Sequence, residues 1–312
     1  MSLLVIGTVA FDDIETPFGR AEKIVGGAAT YIAWAASYFT GGIRLVSIIG
    51  DDFDMSELEA LKERGVDTSG IKIVEGGKSF FWAGRYHHNL NARDTLITDL
   101  NVLADFDPVL PPEYRDSRFV MLGNLTPSIQ LSVIKQMSKR PEVIALDTMN
   151  YWMDSAMDEL QEVLSHIDLL IINEEEARQL SGQYSLLRAN EIIRQMGPKY
   201  LVIKKGEHGA LLFSEDKVFF SPALLLNEVQ DPTGAGDTFA GGLMGYLAGQ
   251  DEMNFEVLKQ AIICGSAMAS FCVEKFGTTA LRDISTDDLV ERLERFSVMM
   301  QFRVPGLRDG RA

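Results

Sequence analysis

Nine consecutive residues, Asp231-Pro232-Thr233-Gly234-Ala235-Gly236-Asp237-Thr238-Phe239, place a carboxylate where a glycine-rich turn runs into an apolar helix. Backbone N–H groups at a helix start have no intrahelical partner. The helix dipole adds positive potential at the same spot, and together they make a seat for phosphate. Asp237 would stand beside that anion as a proton acceptor. Phosphoryl transfer to an alcohol asks for this pair: donors for the phosphate charge and a base for the hydroxyl. Beyond the turn, Phe239, Leu243, Met244, Tyr246 and Leu247 recur at helical spacing, so the helix faces inward and only its loop faces out. On residue types alone, a turn with Asp237 as an ordinary helix cap accounts for the string equally well.

The elements that must carry this loop alternate along the chain. Apolar runs at 3–6, 44–49, 119–122, 143–146, 169–172 and 200–203 read as buried strands. Helical segments are expected at 28–39, 56–64, 129–138, 154–165, 174–181 and 186–196. Strand–helix alternation predicts an α/β fold with a mostly parallel central sheet covered by helices on both faces. Two pieces break the rhythm. Residues 12–25 and 71–105 hold short strand-like runs with no helix between them, and are expected to form a small β-sheet lid over a main domain of 1–11, 26–70 and 106–303. Phe80, Phe81, Trp82 and Tyr86 suit either a lid-to-lid dimer face or the lid's own core. The tail at 304–312 is expected to be loose.

Composition narrows the partners. The chain has 312 residues, 46% hydrophobic and 24% charged, which is ordinary for a soluble globular protein. A net charge of −16 argues against nucleic acid and anionic membrane surfaces, which are bound through Lys and Arg. A local nest of N–H groups can still hold a nucleotide's phosphates. No uninterrupted apolar segment reaches spanning length, and the N-terminus lacks a signal peptide's basic region. Cys264 and Cys272 fall in one apolar stretch, too far apart on a helix to bridge, and read as buried thiols of a reducing, cytoplasmic setting.

The whole string 231–239 resembles the C-terminal signature of the ribokinase-like carbohydrate kinases, the PfkB family. Other segments agree in order. Gly7-Thr8-Val9-Ala10-Phe11-Asp12 is similar to the family's opening strand, Gly26-Gly27 to its Gly-Gly pair, Asn173-Glu174-Glu175-Glu176 to its Asn-x-x-Glu motif, and Lys204-Lys205-Gly206-Glu207-His208-Gly209 to its nucleotide-side turn. The resemblance covers residues 1 to about 282. It implies a ribokinase-like fold and an ATP-dependent kinase acting on a hydroxyl of a small sugar. A nucleoside kinase of the same fold and a non-catalytic ligand-binding relative are the alternatives.

The resemblance also implies roles. Asp237 becomes the catalytic base, with the N–H groups of Gly234, Ala235 and Gly236 as the anion hole. Asp12, Gly26 and Gly27 take the acceptor. Lys204, Gly206, Gly209 and Thr233 fall on the ATP side. Asn173 and Glu176 handle Mg²⁺ through water, and Asp231 stands where some relatives bind a monovalent cation such as K⁺. There are departures: Tyr31 and Ala10 replace asparagines near the sugar, and Asp147-Thr148-Met149-Asn150 only loosely matches an Asp-x-Asn segment. They put ribose in doubt, and Tyr31 could offer a stacking face for a ring. A dinucleotide-dependent oxidoreductase would need Gly-x-Gly-x-x-Gly after the first strand, which Gly7-Thr8-Val9-Ala10 does not supply.

Overall fold

Leu3–Ile6 has no polar side chain, because it lies in the interior of a sheet buried on both faces. The computed structural model describes residues 2–301, so the expectation for 304–312 falls outside the described residues. In chain order the strands are β1 (Leu3–Ile6), β2 (Ala10–Thr16), β3 (Gly19–Gly26), β4 (Ile43–Gly50), β5 (Val66–Val74), β6 (Phe80–Tyr86), β7 (Arg93–Asp99), β8 (Phe119–Leu122), β9 (Val143–Asp147), β10 (Leu169–Asn173), β11 (Tyr200–Lys204), β12 (Ala210–Phe213) and β13 (Val218–Ser221). Nine form one sheet in the order β13-β12-β11-β10-β9-β8-β1-β4-β5. All neighbours from β11 to β5 are parallel, and β12 and β13 close one edge as an antiparallel hairpin.

Alternate residues of β1 feed two cores. Leu3 and Val5 join the side covered by helices Ala28–Ala36, Ala235–Ala248, Phe255–Cys272 and Thr286–Met299. Leu4 and Ile6 join the side covered by Pro127–Gln136, Met157–Leu164, Glu174–Ser181 and Leu186–Gln195. Phe255–Cys272 is long and apolar enough by composition to cross a membrane, but 61% of it is buried within the protein. One polar group sits deep in the first side. Glu57, 1% exposed, accepts from Trp34 Nε1 at 2.5 Å and pairs with Arg282, linking the N-terminal helices to the last part of the chain.

The remaining four strands form the smaller sheet, ordered β3-β2-β6-β7, with β2 parallel to β6 and the other pairs antiparallel. The boundaries differ from expectation: Ala10, Phe11 and Gly26 already pair in the small sheet, outside the 12–25 assigned to the lid. Residues 71–74 belong to β5, pairing in parallel with Ser47–Gly50 at the edge of the large sheet rather than joining the lid. Their exposure is that of an edge strand: Lys72 and Ile73 both face solvent, so the run lacks the unbroken apolar character of the doubly covered strands. The hairpin β12–β13 was not anticipated, because two four-residue runs carry little periodic signal.

Candidate active site

Ligands of open α/β sheets sit outside the carboxyl ends of the strands, where strand order reverses. Here the chain runs outward from β1 in both directions, through β4 to one edge and through β8 to the other. The expected site residues gather at that end. Asp147, Asn173 and Lys204 close β9, β10 and β11, with Asn173 and Lys204 directly paired across the ladder.

The helix Ala235–Ala248 begins at Gly234, in the left-handed region with φ 74°. A Cβ there would lie 2.4 Å from the Tyr31 ring, so only glycine permits both the turn and the close approach. Asp237 stands in the first turn. Ala235 N–H donates to the Pro232 carbonyl at 3.2 Å, an internal bond. The N–H groups of Gly234 and Gly236 are therefore the ones left for an anion, a narrower set than the three expected. A Cβ on Gly236 would fall 3.1 Å from Lys204 Nζ, so the ammonium lies directly under the turn.

Lys204 is not a solvated lysine. Its Nζ is 3.2 Å from Asp147 Oδ1, and the two side chains are 17% and 9% exposed. Burial opposes its charge, but Asp147, Glu176 and Asp237 outweigh that and raise its pKa. Burial, then Asp147, push Asp237 up to about 7, against the pull of Lys204 and Arg93. Glu176 rises to about 7, chiefly through burial. Asp12 reaches about 8 through burial and the nearby Asp231 and Asp237 carboxylates. The site holds more carboxylate than cation, so a cationic ligand or protons must balance it.

Asp12, on β2, tucks against Gly26, where a Cβ would lie 1.9 Å from its Oδ2. Gly27 (φ 90°) holds the turn into helix Ala28–Ala36, where a Cβ would meet Thr8 O at 2.5 Å. Asp231 engages both oxygens, accepting from Thr233 N–H at 2.8 Å and Gly277 N–H at 3.2 Å. It thereby ties the turn to the C-terminal segment.

Asn173 and Glu176 form a reciprocal capping box: Asn173 Oδ1 accepts from Glu176 N–H at 2.8 Å, and Glu176 Oε2 accepts from Asn173 N–H at 2.7 Å. This leaves Glu176 Oε1 for another partner. Among the described residues no cluster of three or more metal-ligating side chains forms. One free carboxylate oxygen suits Mg²⁺, which keeps its waters and leans on substrate phosphates.

Two expectations are corrected. Tyr31 is 1% exposed and its ring packs under Gly234, so it has no free face for stacking. Gly209 is buried, and a Cβ there would lie 2.0 Å from Ser221 O. Its smallness serves packing against β13 rather than a nucleotide. Gly206, in the same turn, is exposed.

The lid adds residues that the reading of motifs missed. Tyr86 Oη lies 3.1 Å from Thr233 Oγ1, bringing the lid onto the turn that opens helix Ala235–Ala248. Asp12 pairs with Trp82 across β2 and β6, so both side chains share one face. Trp82 is half-buried, and its ring lies where a Gly84 side chain would stand. The i, i+2 spacing of Trp82, Gly84 and Tyr86 was the available signal.

With this geometry, the pfkB family carbohydrate kinase model matches residues 4–284. The chain belongs to the PfkB family. It is 31% identical over 282 residues to the cytidine kinase of Thermococcus kodakarensis, covering 89% of this chain and 98% of that one. The crystal structure of Methanocaldococcus jannaschii nucleoside kinase, a ribokinase-family member, shares the fold at a TM-score of 0.75 and 21% identity, over 95% of this chain and 99% of that chain. An Escherichia coli structure in complex with ATP and Mg²⁺ shares it at 0.77 and 20% identity, over 96% and 99%. A PfkB-family kinase is thus the frame for the side chains above. The ribokinase-like fold, a mostly parallel central sheet with a small β-sheet lid, is as expected.

Proposed function

We propose that this PfkB-family kinase transfers the γ-phosphoryl group of ATP to a hydroxyl of a nucleoside. The observation that carries the reading is a half-buried carboxylate and a half-buried ammonium at one helix mouth: Asp237 in the first turn, Lys204 Nζ beneath Gly236. Asp12 and Gly27 hold the acceptor, and Asp237 takes its hydroxyl proton as the oxygen attacks. A base near pKa 7 is well matched to that task at neutral pH. Gly234 and Gly236 N–H groups and Lys204 meet the charge on the moving phosphoryl, and one such donor is worth about 3 kcal/mol. Glu176 and Asn173 are the residues that would hold Mg²⁺ through water, and the ion, when bound, neutralises the phosphates.

A nucleoside, rather than the free sugar first expected, is supported by Trp82. Its indole shares the lid face with Asp12, and a planar base gains from such a surface. The similarity to a cytidine kinase points the same way. Purified protein with ATP, Mg²⁺ and a panel of nucleosides and sugars tests the proposal. A nucleoside is expected to lead every free sugar by about tenfold or more in kcat/KM. A sugar as best acceptor overturns the acceptor class, and failure to bind ATP overturns the kinase assignment.

A further inference from the structure

Residues 276–282 touch two parts of the site at once. Gly277 N–H donates to Asp231 Oδ2 at 3.2 Å, and Asp231 Oδ1 accepts from Thr233 N–H at 2.8 Å. This backbone is thereby bonded to the turn that leads into Asp237. On its other side it meets the lid strand β3. A Cβ on Gly277 would come 3.1 Å from Ile24 Cδ1, and a Cβ on Gly19 would come 3.3 Å from the Phe276 ring. With φ at 62°, Gly277 takes a backbone shape that side chains strain to reach. The bend is followed by a single helical turn, Thr279–Arg282, too short to hold its own place.

Glu57, on helix Met55–Glu63, grips that segment. Its Oε1 accepts from Thr278 Oγ1 at 3.3 Å and its Oε2 accepts from Arg282, which also reaches Thr278 Oγ1 through Nε at 3.4 Å. The same carboxylate accepts from Trp34 Nε1 at 2.5 Å. Trp34 lies on helix Ala28–Ala36, one turn past Tyr31, whose ring packs under Gly234. Glu57 therefore holds both supports of the turn, the helix beneath Gly234 and the segment bonded to Asp231. Packing alone does not call for a charge here. Glu57 is 1% exposed, and apolar side chains of like volume often stabilise a fold as well as a buried ion pair does. What the carboxylate adds is direction, because donors from two distant stretches of chain must converge on one point.

We infer that Glu57 is a positioning residue for phosphoryl transfer. Through Thr278, Gly277 and Asp231 it sets the turn at 234–236 where its N–H groups meet the moving phosphoryl. This rests on the kinase reading above. Glu57 acts only through these neighbours, and no bond is made or broken at it. Alignment of the turn matters most when charge develops on the phosphoryl group, so its loss falls on kcat rather than on nucleotide affinity.

Two variants separate this role from plain stability. Thr278→Val removes one hydroxyl and leaves the Glu57–Arg282 pair in place. Glu57→Leu combined with Arg282→Met replaces the pair by apolar side chains. Amide exchange on the ligand-free protein reads the alignment without nucleotide or acceptor. In both variants the Gly277 and Thr233 N–H groups are expected to exchange about tenfold faster, well beyond any change in β1 and β8. With a proven acceptor, kcat is expected to fall about tenfold in the double variant and about threefold in Thr278→Val. The Kd of a non-hydrolysable ATP analogue, read by calorimetry with Mg²⁺, should stay within about twofold of wild type. Exchange at Gly277 and Thr233 that quickens no more than in β1 overturns the proposal, leaving Glu57 a stabiliser of the fold. So does local loosening with kcat unchanged, or a loss of analogue affinity with kcat kept. Should the double variant fail to fold, Thr278→Val decides alone. A wild-type protein that binds neither ADP nor the analogue sinks the kinase reading itself, a distinct outcome.

Discussion

Asp237 combines two properties that isolated aspartates do not: it is ringed by carboxylates, and it lies within reach of an ammonium. Removing its charge tests the mechanism directly. Asp237→Asn is expected to lower kcat by about 10³-fold or more while ATP still binds, measured by turnover and calorimetry in parallel. Retained turnover would move the base elsewhere. The raised pKa makes a further prediction. The base must be ionised to act, so kcat/KM should climb with pH through about 7. An acid limb near 4 would mean that bound ligands restore an ordinary carboxylate. At this scale the sequence marked Asp237, Asp12 and Gly27 through contiguous strings, and the fold brings all three to one end of the large sheet. It said less about Asp147, Tyr86 and Arg93, which belong to separate strands and meet the site only through the topology of two sheets. Tyr31 was misplaced for a related reason: a helix position says which residue follows Gly27, not which turn will pack on its ring.

Asn173 and Glu176 show how an element and a site can share atoms. The capping box starts helix Glu174–Ser181, and the same Glu176 presents its second oxygen to the cleft. Asn173→Ala should cost about 1 kcal/mol in urea unfolding, the usual worth of a cap. Glu176→Gln, which can still accept from Asn173 N–H, should hold stability better while raising the Mg²⁺ needed for half-maximal rate. An unchanged Mg²⁺ requirement would leave Glu176 a helix cap and nothing more. Gly27→Ala tests the neighbouring turn. With φ at 90° and Thr8 O at 2.5 Å from the added carbon, a loss of about 1–3 kcal/mol is expected. The six parallel strands named from apolar runs all exist, because a doubly covered sheet leaves no room for polar residues. Residues 71–74 escaped that logic at an edge, where one side of the strand is wet.

The molecule as a whole carries an acidic cluster that folding makes harder to ionise. Asp12, Asp237 and Glu176 hold folded-state values of about 8, 7 and 7, well above the roughly 4 of an unfolded carboxyl. Between those limits the native state binds more protons, so stability is greatest below about pH 4 on this account and falls as pH rises through 7 to 8. Melting temperature should therefore drop from pH 5 to pH 8, and Asp12→Asn should flatten that slope. A rising curve over that interval would contradict it. The lid supplies a second test at this scale, since residues 80–100 should resist proteolysis once acceptor is bound, and unchanged cleavage with a proven acceptor would count against closure. Finally, Asp231 fastens the phosphate turn to Gly277, and Arg282 reaches back to Glu57. Proteins emerge from the ribosome N-terminus first. The base and its glycine turn are thus synthesised before the backbone that steadies them. A chain cut short of Gly277 would hold the carboxylate and its turn without the contact that aligns them.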